Sequence, residues 1–171
     1  TGDLDASDVD GLSDLTYFSI SAQGTNGTAV IDAETGAWSY TPSDANWYGS
    51  DSFTVTVTDD LGGTTTQVVS ISLANVNDAP TGSVTIDDTT PSEGQTLTAA
   101  NTLADVDGMG AITYSWKADG AVVGTGATYT TTQSDVGKVI TVEAAYTDGA
   151  GTAETVASAA TAAVTNFDQP A

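Results

Sequence analysis

The sequence of 171 residues contains no cysteine, no histidine and no arginine. Without cysteine, the chain can form no disulfide and carry out no thiolate chemistry. Without histidine, cysteine or arginine, catalytic triads and the common phosphate clamps cannot form, so we expect that the protein is not an enzyme. A carboxylate pair for glycoside hydrolysis is formally available, but the 19 aspartates make such a pair easy to find and weak as evidence.

Positive charge is also scarce. The chain has 23 acidic residues against two lysines, Lys117 and Lys138, and its net charge is −21. Surfaces that bind nucleic acid need clustered lysine or arginine, so we expect no nucleic-acid partner. An anionic membrane surface would repel the chain for the same reason, and we expect no direct membrane contact.

Long apolar runs are missing as well. No stretch approaches the roughly 18 apolar residues of a membrane helix, and no signal peptide is visible at the start of the sequence. Residue 1 has the character of an interior position, so we expect a longer parent chain.

Short alternating or β-branched segments dominate what is present, separated by Gly, Asn, Asp and Pro. Their regular spacing predicts an all-β fold of two tandem antiparallel Greek-key β-sandwiches. The segment Val76–Pro80 interrupts the pattern and reads as a linker, which predicts domains at 1–78 and 79–171. The expected strands are Leu15–Ser21, Thr28–Ile31, Ala37–Thr41, Ser52–Thr58, Thr66–Leu73, Gly82–Ile86, Thr96–Leu103, Ala111–Lys117, Ala121–Val123, Thr128–Thr132, Val139–Tyr146 and Ala153–Val164.

Aspartates recur at matching places in the two halves. Asp-Val-Asp-Gly occurs at 8–11 and again at 105–108, and the loop Thr58–Gly63 is echoed by Thr147–Gly151. Oxygen ligands gathered on loops are typical of calcium sites, and the repetition indicates a repeated module. Any single aspartate is more simply explained as a turn cap on a soluble acidic surface; the calcium hypothesis depends on several acting together.

Longer motifs give a resemblance. Residues 8–80 resemble the bacterial cadherin-like tandem repeats of large RTX-type biofilm adhesins, through DVDG-LSDLTY, GAWSYTP, YGSDSFT, TVTDDLGG and VNDAP. Residues 81–170 are similar to the immunoglobulin-like repeats of the same adhesins, through GQTL, LADVDG, YSWKADG, SDVGK and YTDG. The resemblance implies sandwiches strung end to end, calcium near the joints and a place in a fibre on the bacterial cell surface. Independently of the resemblance, only a short segment that starts with Thr1–Leu4 lies before the first Asp-Val-Asp-Gly, whereas two predicted strands precede the second, so we expect that the first domain lacks its first strand.

The same resemblance implies which residues would hold calcium (Ca²⁺). Two loops at one end of the second sandwich carry Asp105, Asp107 and Asp148, and the linker enters there. The expected joint ligands are Asp105, Asp107 and Asp148 with Asn75, Asn77, Asp78, Asp44 and Asp51. The equivalent group in the first domain is Asp8, Asp10 and Asp59.

Aromatic residues leave a second function open. Trp116, Trp38 and Tyr40 are expected in the cores. Tyr48 is expected to pack, whereas Trp47 is expected at a loop, where it would cover the joint or stack on a sugar.

Three functions therefore remain at this stage. The first is a structural extender of a surface adhesin, a monomeric segment whose partners are neighbouring repeats. The second is an adhesin module that binds a glycan or a protein. The third is an accessory module of a secreted polysaccharide-active enzyme.

Overall fold

A computed structural model describes residues 1–9, 12 and 16–167 of the chain. The chain divides into two compact units, Thr1–Val76 and Asn77–Ala171. This division lies two residues before the boundary expected from the sequence. Asn77 and Asp78 fall in the second unit because both hydrogen-bond to residues of that unit.

The described residues of the first unit form five strands in two sheets. One sheet has the order β1-β4-β5, and the other contains β2 and β3. Its buried core comprises Phe18, Ala29, Phe53, Val55 and Ile71. The strands are β1 Phe18–Ala22, β2 Gly27–Ile31, β3 Trp38–Pro42, β4 Gly49–Thr58 and β5 Thr64–Leu73.

The amino-terminal segment runs beside β3. The backbone N–H of Gly2 donates to the carbonyl of Trp38 at 3.1 Å, and the N–H of Trp38 donates back at 2.9 Å. The Trp38 ring lies over Gly2 so closely that an added Cβ would come within 2.5 Å of it. Trp38 also makes an edge-to-face contact with Phe53, with ring centroids 5.2 Å apart. The half-buried tryptophan therefore joins this segment to the core.

Up to residue 167, where the described part of the chain ends, the second unit has seven strands in two sheets, of order β10-β7-β6 and β12-β11-β8-β9. The chain changes sheet between β7 and β8, β9 and β10, and β10 and β11, a Greek-key pattern of crossings. The strands are β6 Val84–Ile86, β7 Thr96–Asn101, β8 Thr113–Ala118, β9 Ala121–Thr125, β10 Thr128–Thr130, β11 Ile140–Thr147 and β12 Ala153–Ala157, with a 3₁₀ turn at Gln133–Asp135. The all-β antiparallel architecture expected from the sequence is confirmed.

Trp116 is at the centre of the second core. It is fully buried and stacks against Tyr129 with ring centroids 5.9 Å apart. Its indole Nε1 donates to the carbonyl of Gly126 at 2.9 Å, so burial leaves no polar atom of the ring unpaired.

The last predicted strand is too long. Ala153–Val164 was expected as one strand, but β12 ends at Ala157. Beyond it, the hydroxyls of Ser158 and Thr161 accept hydrogen bonds from the backbone N–H groups of Val142 and Ile140. Side-chain oxygens thus replace part of the backbone ladder, as serine and threonine often do.

Candidate functional site

Asp148 forms the turn between β11 and β12. Its Oδ1 accepts from the backbone N–H of Ala150 at 2.9 Å and of Thr152 at 2.7 Å. The side chain is only 6% exposed, and its other oxygen, Oδ2, is buried without a hydrogen-bond partner. An unpaired buried carboxylate oxygen is costly, which makes this atom a natural ligand for a cation.

The loop between β7 and β8 lies against this turn. The backbone N–H of Gly149 donates to the carbonyl of Asp107 at 3.0 Å. A Cβ on Gly149 would come within 2.4 Å of that carbonyl oxygen, so only glycine allows this approach. The structure therefore brings the loops of Asp107 and Asp148 together.

Asp105 and Asp107 are both held in place by hydrogen bonds. Asp105 Oδ1 accepts from the backbone N–H of Asp107 at 2.9 Å, and its Oδ2 accepts from the hydroxyl of Tyr146 at 2.5 Å. Asp107 Oδ2 accepts from the backbone N–H of Asp78 at 2.7 Å. The carboxylates of this loop thus fix the entry of the chain into the second unit.

The pKa of Tyr146 is raised by its surroundings. Burial raises the pKa of its phenol, and the hydrogen bond and charge of Asp105 raise it further, followed by the charges of Glu154 and Asp148. Three carboxylates therefore act on one hydroxyl.

Glu154 and Tyr146 were not among the residues expected from the sequence. They are cross-strand partners in the β11–β12 hairpin, and Glu154 also accepts from the side-chain amide of Asn77 at 2.8 Å. Pairing the two strands across the Asp148 turn would have placed Glu154 beside the loop aspartates. Asn75, by contrast, belongs to the first unit, where it is half-buried after the end of β5.

The first unit repeats the turn. Asp59 Oδ1 accepts from the backbone N–H of Leu61 at 2.8 Å and of Gly63 at 2.7 Å, in the same i+2 and i+4 pattern as Asp148. Asp59 and Asp8 line one cavity of about 600 Å³, together with Asp5. Asp10, the third expected member, lies outside the described residues.

Asp51 is used for folding contacts within the first unit. Its oxygens accept from the hydroxyl of Tyr40 and from the backbone N–H groups of Thr25, Asn26 and Ser52. These bonds, with that from Tyr40 the strongest, lower the pKa of Asp51 to about 2.

Asp44 caps its own turn by accepting from the backbone N–H of Asn46 at 2.9 Å. That Asp44 and Asp51 share a cation with the second unit stays a prediction.

The neighbouring aromatic pair differs from expectation. Tyr48, expected to pack, is 43% exposed, whereas Trp47, expected to be the more exposed, is half-buried. The ring of Trp47 covers Gly49, whose added Cβ would lie 3.7 Å from it. The strand β4 begins at Gly49, so Tyr48 lies just outside the sheet pairing.

The metal hypothesis can be compared with this geometry. Within 1–9, 12 and 16–167, no three carboxylates lie close enough together to form a cation cage. The donor set nevertheless suits calcium, because its oxygens are hard ligands and one of them, Asp148 Oδ2, is buried and unpaired. Asp148 Oδ2 therefore fits the ligand chemistry of calcium as a single donor, and the joint role of Asp105 and Asp107 stays a prediction.

Comparison with known proteins finds a similarity in the first unit. Residues 1–75 match the family model of the bacterial cadherin-like domain, and no curated protein matches the chain. Cadherin-like domains generally bind calcium. In the part of the chain that the structure describes, no helix has the length and apolar character needed to span a membrane.

Proposed function

We propose that this chain is a calcium-stiffened extender segment of a bacterial cell-surface adhesin, with a mechanical and not a catalytic role. Its partners would be neighbouring repeats of the same parent chain, outside the cell. The match of residues 1–75 to a bacterial cadherin-like domain supports an extracellular repeat module. The buried, unpaired Asp148 Oδ2 is the observation that carries the calcium part of the proposal.

Asp148, Asp107 and Asp105 would hold the cation in the second unit. Bound calcium would supply positive charge among carboxylates that otherwise repel one another. The other contacts of these aspartates hold the loops and the entry segment in position. Asp105 and Asp148 are held by backbone donors and Tyr146, and Asp107 holds the backbone of Asp78 at 2.7 Å. A cation on Asp107 would therefore act directly on the entry segment.

The charge balance gives the reason for stiffening. The chain carries a net charge of −21 and offers only two lysines to offset it. Repulsion among so many carboxylates favours expanded and mobile arrangements. Divalent cations bound at specific loops would oppose this repulsion far better than screening by salt, which acts on all exposed charges alike.

The test is a calcium titration by calorimetry on the whole chain, with small-angle X-ray scattering before and after chelation. Extracellular modules bind calcium with dissociation constants of roughly 10⁻⁴–10⁻³ M, so saturable heat is expected in that range. The scattering should show a narrower distribution of sizes with calcium. If calcium produces neither heat nor any change in scattering, the proposal is wrong.

A further inference from the structure

Among the residues that the structure describes, no strand pairs with the outer edge of β5. β5 runs from Thr64 to Leu73 and, among the described residues, pairs only with β4. Ten residues at about 3.3 Å each expose a backbone edge of roughly 33 Å. The segment contains no charged residue, no proline and no glycine, although natural proteins usually protect free edges with such residues.

The cavity of the first unit opens beside this edge. Thr65 and Gln67 pair with Val57 and Val55 of β4, so their side chains share the inward face of the sheet. Val55 is fully buried, yet Thr65 and Gln67 are exposed. They are exposed because they line the cavity of about 600 Å³, a volume within the range of ordinary ligand pockets.

The cavity is lined by both apolar and acidic residues. Leu4, Phe18 and Val57 line it, and so do the carboxylates of Asp5, Asp8 and Asp59. Residues 1–76 contain 11 acidic residues and no lysine or arginine. A long side chain with an aliphatic stem and a positive head matches both surfaces, because the stem can lie on apolar groups while the head faces carboxylates.

We propose that the outer edge of β5 binds an extended, positively charged peptide segment, which adds to the sheet as a further strand and inserts a lysine or arginine side chain into the cavity. Strand addition supplies backbone hydrogen bonds, and alternate side chains of the added strand would face the cavity. A second copy of this chain is a poor occupant, because two chains of charge −21 repel each other. The proposal concerns the calcium-free chain, because Asp8 and Asp59 also belong to the expected calcium group of the first domain.

The experiment uses a labelled synthetic peptide in which lysines alternate with threonine and valine, titrated onto the whole chain in chelator. Nuclear magnetic resonance should show amide shifts concentrated in Thr64–Leu73. A peptide of the same sequence, N-methylated along one edge, keeps its charge but cannot pair. We expect it to bind at least about tenfold more weakly. Equal binding of the two peptides would mean charge attraction alone and would overturn the proposal.

Matched variants test the cavity. The double variant Asp5→Asn/Asp8→Asn should weaken binding about three- to tenfold, since each exposed ion pair contributes modestly. The double variant Asp32→Asn/Glu34→Gln removes the same charge from the β2–β3 turn and should change binding by less than about twofold. Equal effects of the two variants would overturn the proposal, as would pairing of the edge with a second copy or with another segment of the parent chain.

Discussion

Replacing Asp148 by asparagine should change stability in opposite ways with and without calcium. The variant Asp148→Asn keeps an Oδ1 acceptor for the backbone N–H groups of Ala150 and Thr152. It also removes a negative charge that is 6% exposed and has an unpaired oxygen. In chelator, the melting temperature of the variant should therefore equal or exceed that of the wild type, because burial of an uncompensated charge is costly.

In calcium, the order of the two melting temperatures should be reversed. At free calcium about fifty times the dissociation constant, one site adds about 2.3 kcal/mol to the folded state. For a domain of this size that corresponds to a rise in melting temperature of roughly 9–18 °C. The variant, which lacks the ligand, should gain little, so the wild type should become the more stable protein.

Differential scanning calorimetry of both proteins, in chelator and in calcium, measures the melting temperatures that test this reversal. The variant Asp119→Asn is the matched control, because it removes the same charge. It keeps the Oδ1 acceptor for the backbone N–H of Val139, and asparagine tolerates the positive φ of 49° at this position. It should respond to calcium as the wild type does. Equal calcium shifts in wild type and Asp148→Asn would refute the assignment of Asp148 as a ligand.

Three further predictions concern the stability of the fold and the ionisation of its side chains. Trp116→Ala should destabilise the second unit by about 3–5 kcal/mol in urea unfolding, because it empties the centre of a core; a loss below 1 kcal/mol would contradict that position. Burial and the hydrogen bond to Asp135 raise the pKa of Tyr129 from 10 to about 12. The stability that the neutral phenol contributes is therefore fully present below pH 10 and is lost as the pH rises through 12. Tyr129→Phe should remove one phenol from the alkaline absorbance titration at that pH, and an unchanged amplitude there would oppose this. The pKa of Asp51 is lowered from 3.8 to about 2, so its contribution is present above pH 3.8 and lost as pH falls through 2; Asp51→Asn should flatten acid unfolding in that range, and identical acid curves would count against it.

The strand pattern was largely readable from the sequence. Alternation and turn residues located each of the twelve strands found in the described residues, with most ends within three residues of those observed. The failure at Ala153–Val164 has a local cause, because apolar pattern does not reveal that Ser158 and Thr161 substitute their hydroxyls for backbone acceptors.

The candidate site was readable only in part. The repeated Asp-Val-Asp-Gly and turn motifs indicated Asp105, Asp107 and Asp148, because loop aspartates recur where hairpins turn. The pattern could not distinguish Asp51 from a candidate calcium ligand. In the structure, the oxygens of Asp51 are engaged by Tyr40 and by backbone donors. It also missed Glu154, since an acidic residue within a strand looks like any exposed position.

The sequence by itself determined an acidic, cysteine-free, all-β chain with repeated aspartate turns, because composition and side-chain period act locally. Only the tertiary structure decided which carboxylates share a site and which are used in turns. Gly149 lets two distant loops touch, and in the same turn one oxygen of Asp148 is buried without a partner. That atom depends on packing between segments some forty residues apart, which no local pattern specifies.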